Sequence, residues 1–147
     1  MTTSEYTARV RRALEQAPLL NVQVQRTVDG TRTEILAGDV VLDTSYGRDL
    51  GDVVDDLEVL AEWPVDWAVF VRVHRLAARL GYRLEFMQDQ RGRLTFLLRS
   101  RHTGGATPHT SLDGARKVLR QRLTALRREA QQQYATASRA QDGSAVA

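Results

Sequence analysis

The chain has no cysteine, a single lysine, three prolines and nine aromatic residues. Without cysteine there are no disulfides, no thiolate metal ligands and no cysteine nucleophile, and the usage fits a cytoplasmic protein. No apolar run approaches the ~20 residues that cross a bilayer, so no membrane partner is expected. The start, Met1-Thr2-Thr3-Ser4-Glu5-Tyr6, lacks the basic and apolar stretches of a secretory signal. The lone lysine, Lys117, lies in the last helical stretch, away from any strand carboxylates. That argues against a metal-dependent nuclease of the acidic–lysine type.

Catalytic constellations are equally scarce. There are three histidines. His74 falls beside an apolar stripe and reads as structural. His102 and His109 flank the loop Thr103-Gly104-Gly105-Ala106-Thr107-Pro108, where no third metal ligand has suitable spacing. That loop does not end in Gly-Lys-Ser/Thr and is not a P-loop. Ser45 and Ser111 have no evident histidine and acid partners. Paired carboxylates such as Asp52 and Asp56 fall on an exposed helix, where nothing would raise a pKa for acid–base work. The expectation is a non-enzymatic protein without cofactor or metal.

What is present is a regular alternation of helical and strand patterns in 147 residues, a length suited to one domain. Residues 4–17 read as an amphipathic helix, with Tyr6, Val10, Ala13, Leu14 and Ala17 on one stripe and Pro18 as its stop. Residues 19–28 alternate as a strand. Asp29-Gly30 is a type I′ hairpin signal leading into a second strand over 32–37. Val40-Val41-Leu42 suggests a short third strand, and Ser45-Tyr46-Gly47 breaks the pattern. Helices follow over 48–62, with Leu50, Val53, Val54, Leu57 and Leu60 inward, and over 65–80. Residues 82–89 and 93–100 form a second hairpin turned by Asp89-Gln90-Arg91-Gly92. Residues 101–109 read as a loop, and a capped helix starts at 110–113.

The expected fold is α+β, with one antiparallel sheet of four to five strands from two hairpins covered by amphipathic helices. The ordered domain is expected over 1–130, with a disordered polar tail over 131–147. A faint internal echo runs through it. Asp29-Gly30-Thr31-Arg32 and Arg91-Gly92-Arg93-Leu94 correspond at an offset of 62, and Leu50 and Leu57 face Leu112 and Leu119 at the same offset. This suggests a duplicated helix–hairpin–helix unit with halves 4–62 and 66–130. Any two such stretches would align about as well.

Charge is sorted along the chain. Residues 39–66 carry nine acids and one arginine, whereas 67–101 carry eight arginines and two acids. Twenty of the 21 basic residues are arginine, which reflects either codon usage or a need for guanidinium forks. On helical geometry Arg72, Arg75 and Arg79 lie within about 60° of one another. Arg116, Arg120 and Arg127 cluster on one flank of the last helix, with Lys117 extending that face. These seven residues are the expected footprint on nucleic-acid phosphates, with weak sequence specificity. No RNP-type aromatic pair, GxxG clamp or zinc-finger spacing is present. Trp63 and Trp67 read as core or rim. The competing reading is a protein–protein adaptor or chaperone-like dimer. It would use the acidic helix 48–62, through Asp52, Asp55, Asp56, Val59 and Glu62, against a basic partner or a second copy.

Overall fold

The computed structural model describes the backbone of residues 1–146 and the side chains of residues 1–141. The elements in order are α1 (Thr3–Gln16), β1 (Leu20–Thr27), β2 (Gly30–Ala37), β3 (Val40–Tyr46), α2 (Leu50–Glu62) and α3 (Trp67–Arg79). They are followed by β4 (Tyr82–Gln88), β5 (Leu94–Ser100), β6 (Ala106–His109) and α4 (Leu112–Val146). The protein is α+β, as the periodicities require. The chain divides into two compact units between His74 and Arg75, inside α3. The halves expected from the sequence meet at Pro64 instead.

The expected single sheet of four to five strands is replaced by two sheets of three antiparallel strands, ordered β1-β2-β3 and β4-β5-β6. Each sheet is a meander in which a short turn joins each strand to the next. Neighbours in sequence therefore pair before the two hairpins meet. The sixth strand was missed because Ala106-Thr107-Pro108-His109 has no apolar alternation. Pro108 has no N–H to donate and is tolerated because β6 pairs with β5 alone, at the sheet edge.

In the first unit Thr2 caps α1, and the reciprocal Glu5 bond to the Thr2 amide completes a capping box. The β1–β2 turn centres on Val28-Asp29, between the paired Thr27 and Gly30. Among the described residues no non-glycine residue has positive φ, so the expected type I′ turn does not form. Gly30 instead takes the positive φ as the first residue of β2. β3 runs on through Ser45 and Tyr46, beyond the short strand expected. The core gathers Ala13 and Ala17, Leu20, Ile35 and Ala37, the α2 residues Val53, Val54, Leu57 and Leu60, and Trp67, Phe70 and Val73. Phe70 meets the Trp67 ring edge-on at 5.4 Å and stacks on His74 at 6.4 Å. Leu50 is exposed, contrary to expectation, because it opens α2 next to the Asp49 cap. Tyr6, Val10 and Leu14 are only half-buried, so α1 buries a narrower stripe than its pattern implies.

Asp66 caps α3 through its carboxylate, which accepts from the amides of Ala68 and Val69. Replacing it by Ala is expected to cost about 1 kcal/mol, measured by chemical denaturation.

In the second unit Leu84, Phe96 and Leu98 of the sheet pack with Ala115 and Leu119 of α4 to form a small core with Ala77. Asp89 organises the β4–β5 turn by accepting from the amides of Arg91 and Arg93 at 2.9 and 2.8 Å. Gly81 ends α3 with φ +81°, and a Cβ there would lie 3.2 Å from His102 Nε2. Gly81→Ala is therefore expected to lower stability by about 1–2 kcal/mol, read from the urea midpoint.

α4 continues to Val146, past Ala130 where the sequence suggested a disordered tail over 131–147. The Gln, Ala and Arg residues there favour helix. From Arg127 to Gln141 every side chain is exposed. The side chains of 142–147, and Ala147 altogether, lie outside the described residues.

Candidate nucleic-acid interface

The structural divide is also a charge divide. Residues 1–74 hold 13 acids and seven arginines, net −6. Residues 75–147 hold 14 basic residues and five acids, net +9. The whole-chain +3 conceals both.

Within the first unit, arginine is partly spent on carboxylates. Arg9 reaches from α1 to α2, pairing with Asp55 at 2.7 Å and with Glu58. Arg48 pairs with Asp56, and Arg32 with Glu34. Donating hydrogen bonds to Glu58 and Asp55 raises the pKa of the Arg9 guanidinium further, and donating to Asp56 does the same for Arg48. The acidic face of α2 is thus divided. Asp55 and Asp56 hold arginines of their own unit, whereas Asp52 and Glu62 are exposed and make no ion pair among the described residues. Val59 lies among them, half-exposed. The pairing was illegible in sequence because Arg9 and Asp55 lie 46 positions apart.

The second unit spends less. Arg99 pairs with Glu85 across β4 and β5, holding the loop through the Gly104 carbonyl, and Arg83 approaches the same carboxylate. Arg116 pairs with Asp113 one turn back. Lys117, Arg120 and Arg127, by contrast, are exposed and have no carboxylate within ion-pair reach among the described residues. Helical rotation puts Arg116, Arg120 and Arg127 within about 40° of one another, on one side of the Ala115–Leu119 stripe. Ala115 and Leu119 fix that rotation by being buried. Lys117 broadens the strip.

On α3, Arg72, Arg75 and Arg79 are all exposed and off the buried stripe of Phe70, Val73 and Ala77. Arg72 belongs to the first unit, and Arg75 and Arg79 to the second. The seven basic residues are therefore two strips, one per helix. Arg91, Arg93 and Arg101 are further exposed cations of the second unit.

His109 Nε2 lies 3.2 Å from Thr107 Oγ1, and His102 packs beside Gly81. Among the described residues no group of three or more His, Asp or Glu side chains could hold a metal ion. Trp67 is buried and Trp63 half-buried, together lining a depression between the α1–β1 and α2–α3 junctions. No helix of the described residues is long and apolar enough to cross a membrane.

Fold and surface together define an α+β protein of two three-stranded meanders with oppositely charged units. Comparison of the chain with protein-family models, with curated proteins and with solved structures gives no match.

Proposed function

We propose that this chain is a small, non-enzymatic binding protein that contacts nucleic-acid phosphates through the basic helix faces of its second half. The observation that carries the reading is the strip Lys117, Arg120 and Arg127, exposed and without carboxylate partners among the described residues, in a unit of net +9. Such a surface attracts a polyanion by releasing its condensed counterions and does not read base edges. Arg72, Arg75 and Arg79 add a second strip, and Arg116 contributes less because Asp113 holds it. The reading implies weak sequence specificity and strong salt dependence.

A gel-shift titration with duplex DNA, single-stranded DNA and RNA at low salt tests it. Binding in the micromolar range to at least one is expected. No shift at tens of micromolar protein would refute it.

The acidic α2 face as a docking site for a basic protein is the weaker reading, because Asp55 and Asp56 already serve Arg9 and Arg48. Its remaining free members are Asp52, Val59 and Glu62. Reversing Asp52 and Glu62 to Arg separates the readings. It should abolish a charge-matched protein contact, yet leave or strengthen binding to a polyanion.

We further read the two units as copies of one ancestral element. β1 and β4 begin 62 positions apart, as do α2 and α4. Asp55 and Asp56 of the first copy then correspond to Lys117 and Val118 of the second. On this reading core spacing was kept while surface charge inverted.

A further inference from the structure

The second half of α4 is exposed wherever its side chains are described, although it is not uniformly polar. From Arg127 to Gln141 every side chain is exposed. Yet Leu126, Ala130, Tyr134 and Ala137 continue, at steps of four, four and three, the line begun by Ala115, Leu119 and Leu123. Tyr134 is 78% exposed. A helix with no packed face is marginal in water, because its stability in proteins comes mainly from burying an apolar stripe.

The first unit has the complementary defect. Tyr6, Val10 and Leu14, spaced by four on α1, form a half-exposed apolar ridge along an open depression flanked by Arg11 and Glu15. Tyr6 also borders a second depression with Met1 and Leu50, both exposed, so the two join at Tyr6.

We infer that the distal half of α4 docks along the α1 face of a second copy of this chain, and that two chains exchange these helices reciprocally. Length and charge both select that occupant. The 15 exposed positions of α4 extend about 22 Å and the 14 residues of α1 about 21 Å. Over Arg127–Gln141 the helix carries three arginines and one glutamate. The α1 face is bordered by Glu15 and Asp49, in a unit of net −6; Arg11 is the one cation on that rim. A reciprocal exchange closes as a two-fold dimer and leaves no open end. Arg127 belongs to both surfaces, whereas Lys117 and Arg120 precede the exposed stretch; the positions varied below, Tyr134 and Val10, are outside the polyanion strip, so the two readings fail separately.

Light scattering on the full chain from low to high micromolar concentration is the direct test, expected to show twice the chain mass. Tyr134→Glu and Val10→Glu should each give a monomer, with circular dichroism confirming that both remain folded. Val10→Ala serves if the glutamate variant unfolds. Mixing the two variants is the discriminating arm. Tyr134→Glu keeps an intact α1 face and Val10→Glu an intact α4, so together they should regain a dimer. A wild-type monomer at every concentration, variants that still dimerise, or a mixture that stays monomeric would each overturn the inference. A monomer whose distal α4 amides resist hydrogen exchange would show the helix docked within its own chain, which also overturns it.

Discussion

Reversing Lys117, Arg120 and Arg127 to Glu should lower nucleic-acid affinity at low salt by at least 100-fold, the largest functional effect expected of any surface change. Each side chain that neutralises a phosphate steepens the dependence of log affinity on log salt by ~0.9 for duplex DNA. Removing three should therefore make that slope shallower by roughly 3. The loss should be similar for unrelated sequences, because the strip has no group aimed at base edges. Arg116→Glu alone should do less, since the wild-type side chain is already engaged by Asp113. All three positions are exposed, so folding should be unaffected, and thermal denaturation checks this. The paired variant Asp52→Arg with Glu62→Arg should move affinity the other way or leave it unchanged.

The largest effect on stability is expected from Phe70→Ala. Phe70 is 1% exposed, sits at the inner face of α3 and packs against the Trp67 ring edge and the His74 imidazole. Truncation removes the ring's transfer free energy and leaves a cavity that its close-packed surroundings fill only in part. The loss should be about 3–5 kcal/mol, which is a large part of the stability of an ordinary domain. Leu119→Ala in the second unit should cost about 2–4 kcal/mol, while the half-buried Leu123→Ala should cost clearly less. Urea denaturation of the three variants gives the ranking. A Leu123 loss equal to that at Leu119 would mean that the buried face of α4 extends further along the helix than described.

Local physics explains why much of this architecture is legible in the sequence. The stripe Val53, Val54, Leu57 and Leu60 places α2 and its inward face, and Asp89 with Gly92 places the β4–β5 turn. Both are decided by neighbours within a few residues. Features set by distant partners are not legible. Which strands share a sheet depends on pairing across the chain, so two hairpins suggest one sheet where two exist. β6 carries no pattern because its register is supplied by β5, through pairs such as Phe96 with His109 and Leu98 with Thr107. On α1 the sequence shows a stripe but not its coverage, and Tyr6, Val10 and Leu14 of that stripe remain half-exposed. The basic strips are legible because helical rotation alone fixes them. The loss of Asp55 and Asp56 to arginines of their own unit is not, because it requires the fold.

The opposite charge of the two units gives these observations a common frame. A polyanion should meet the second unit and be repelled by the first, whose acids outnumber its arginines 13 to seven. Electrostatic steering of this kind acts mainly on the association rate and fades within about 10 Å at 0.1 M salt. Stopped-flow association with a labelled oligonucleotide should therefore slow steeply as salt is raised, with a smaller change in dissociation.

The central claim is that the exposed α4 strip binds nucleic-acid phosphates. Fluorescence anisotropy of labelled duplex, single-stranded DNA and RNA, titrated with the wild-type chain and with the Lys117, Arg120, Arg127 triple variant across a salt series, tests it most directly. The account predicts a steep salt slope for the wild type and a slope shallower by roughly 3 for the triple variant, with affinity nearly indifferent to sequence. Equal binding by the two proteins, or no binding by the wild type at tens of micromolar in low salt, would contradict it.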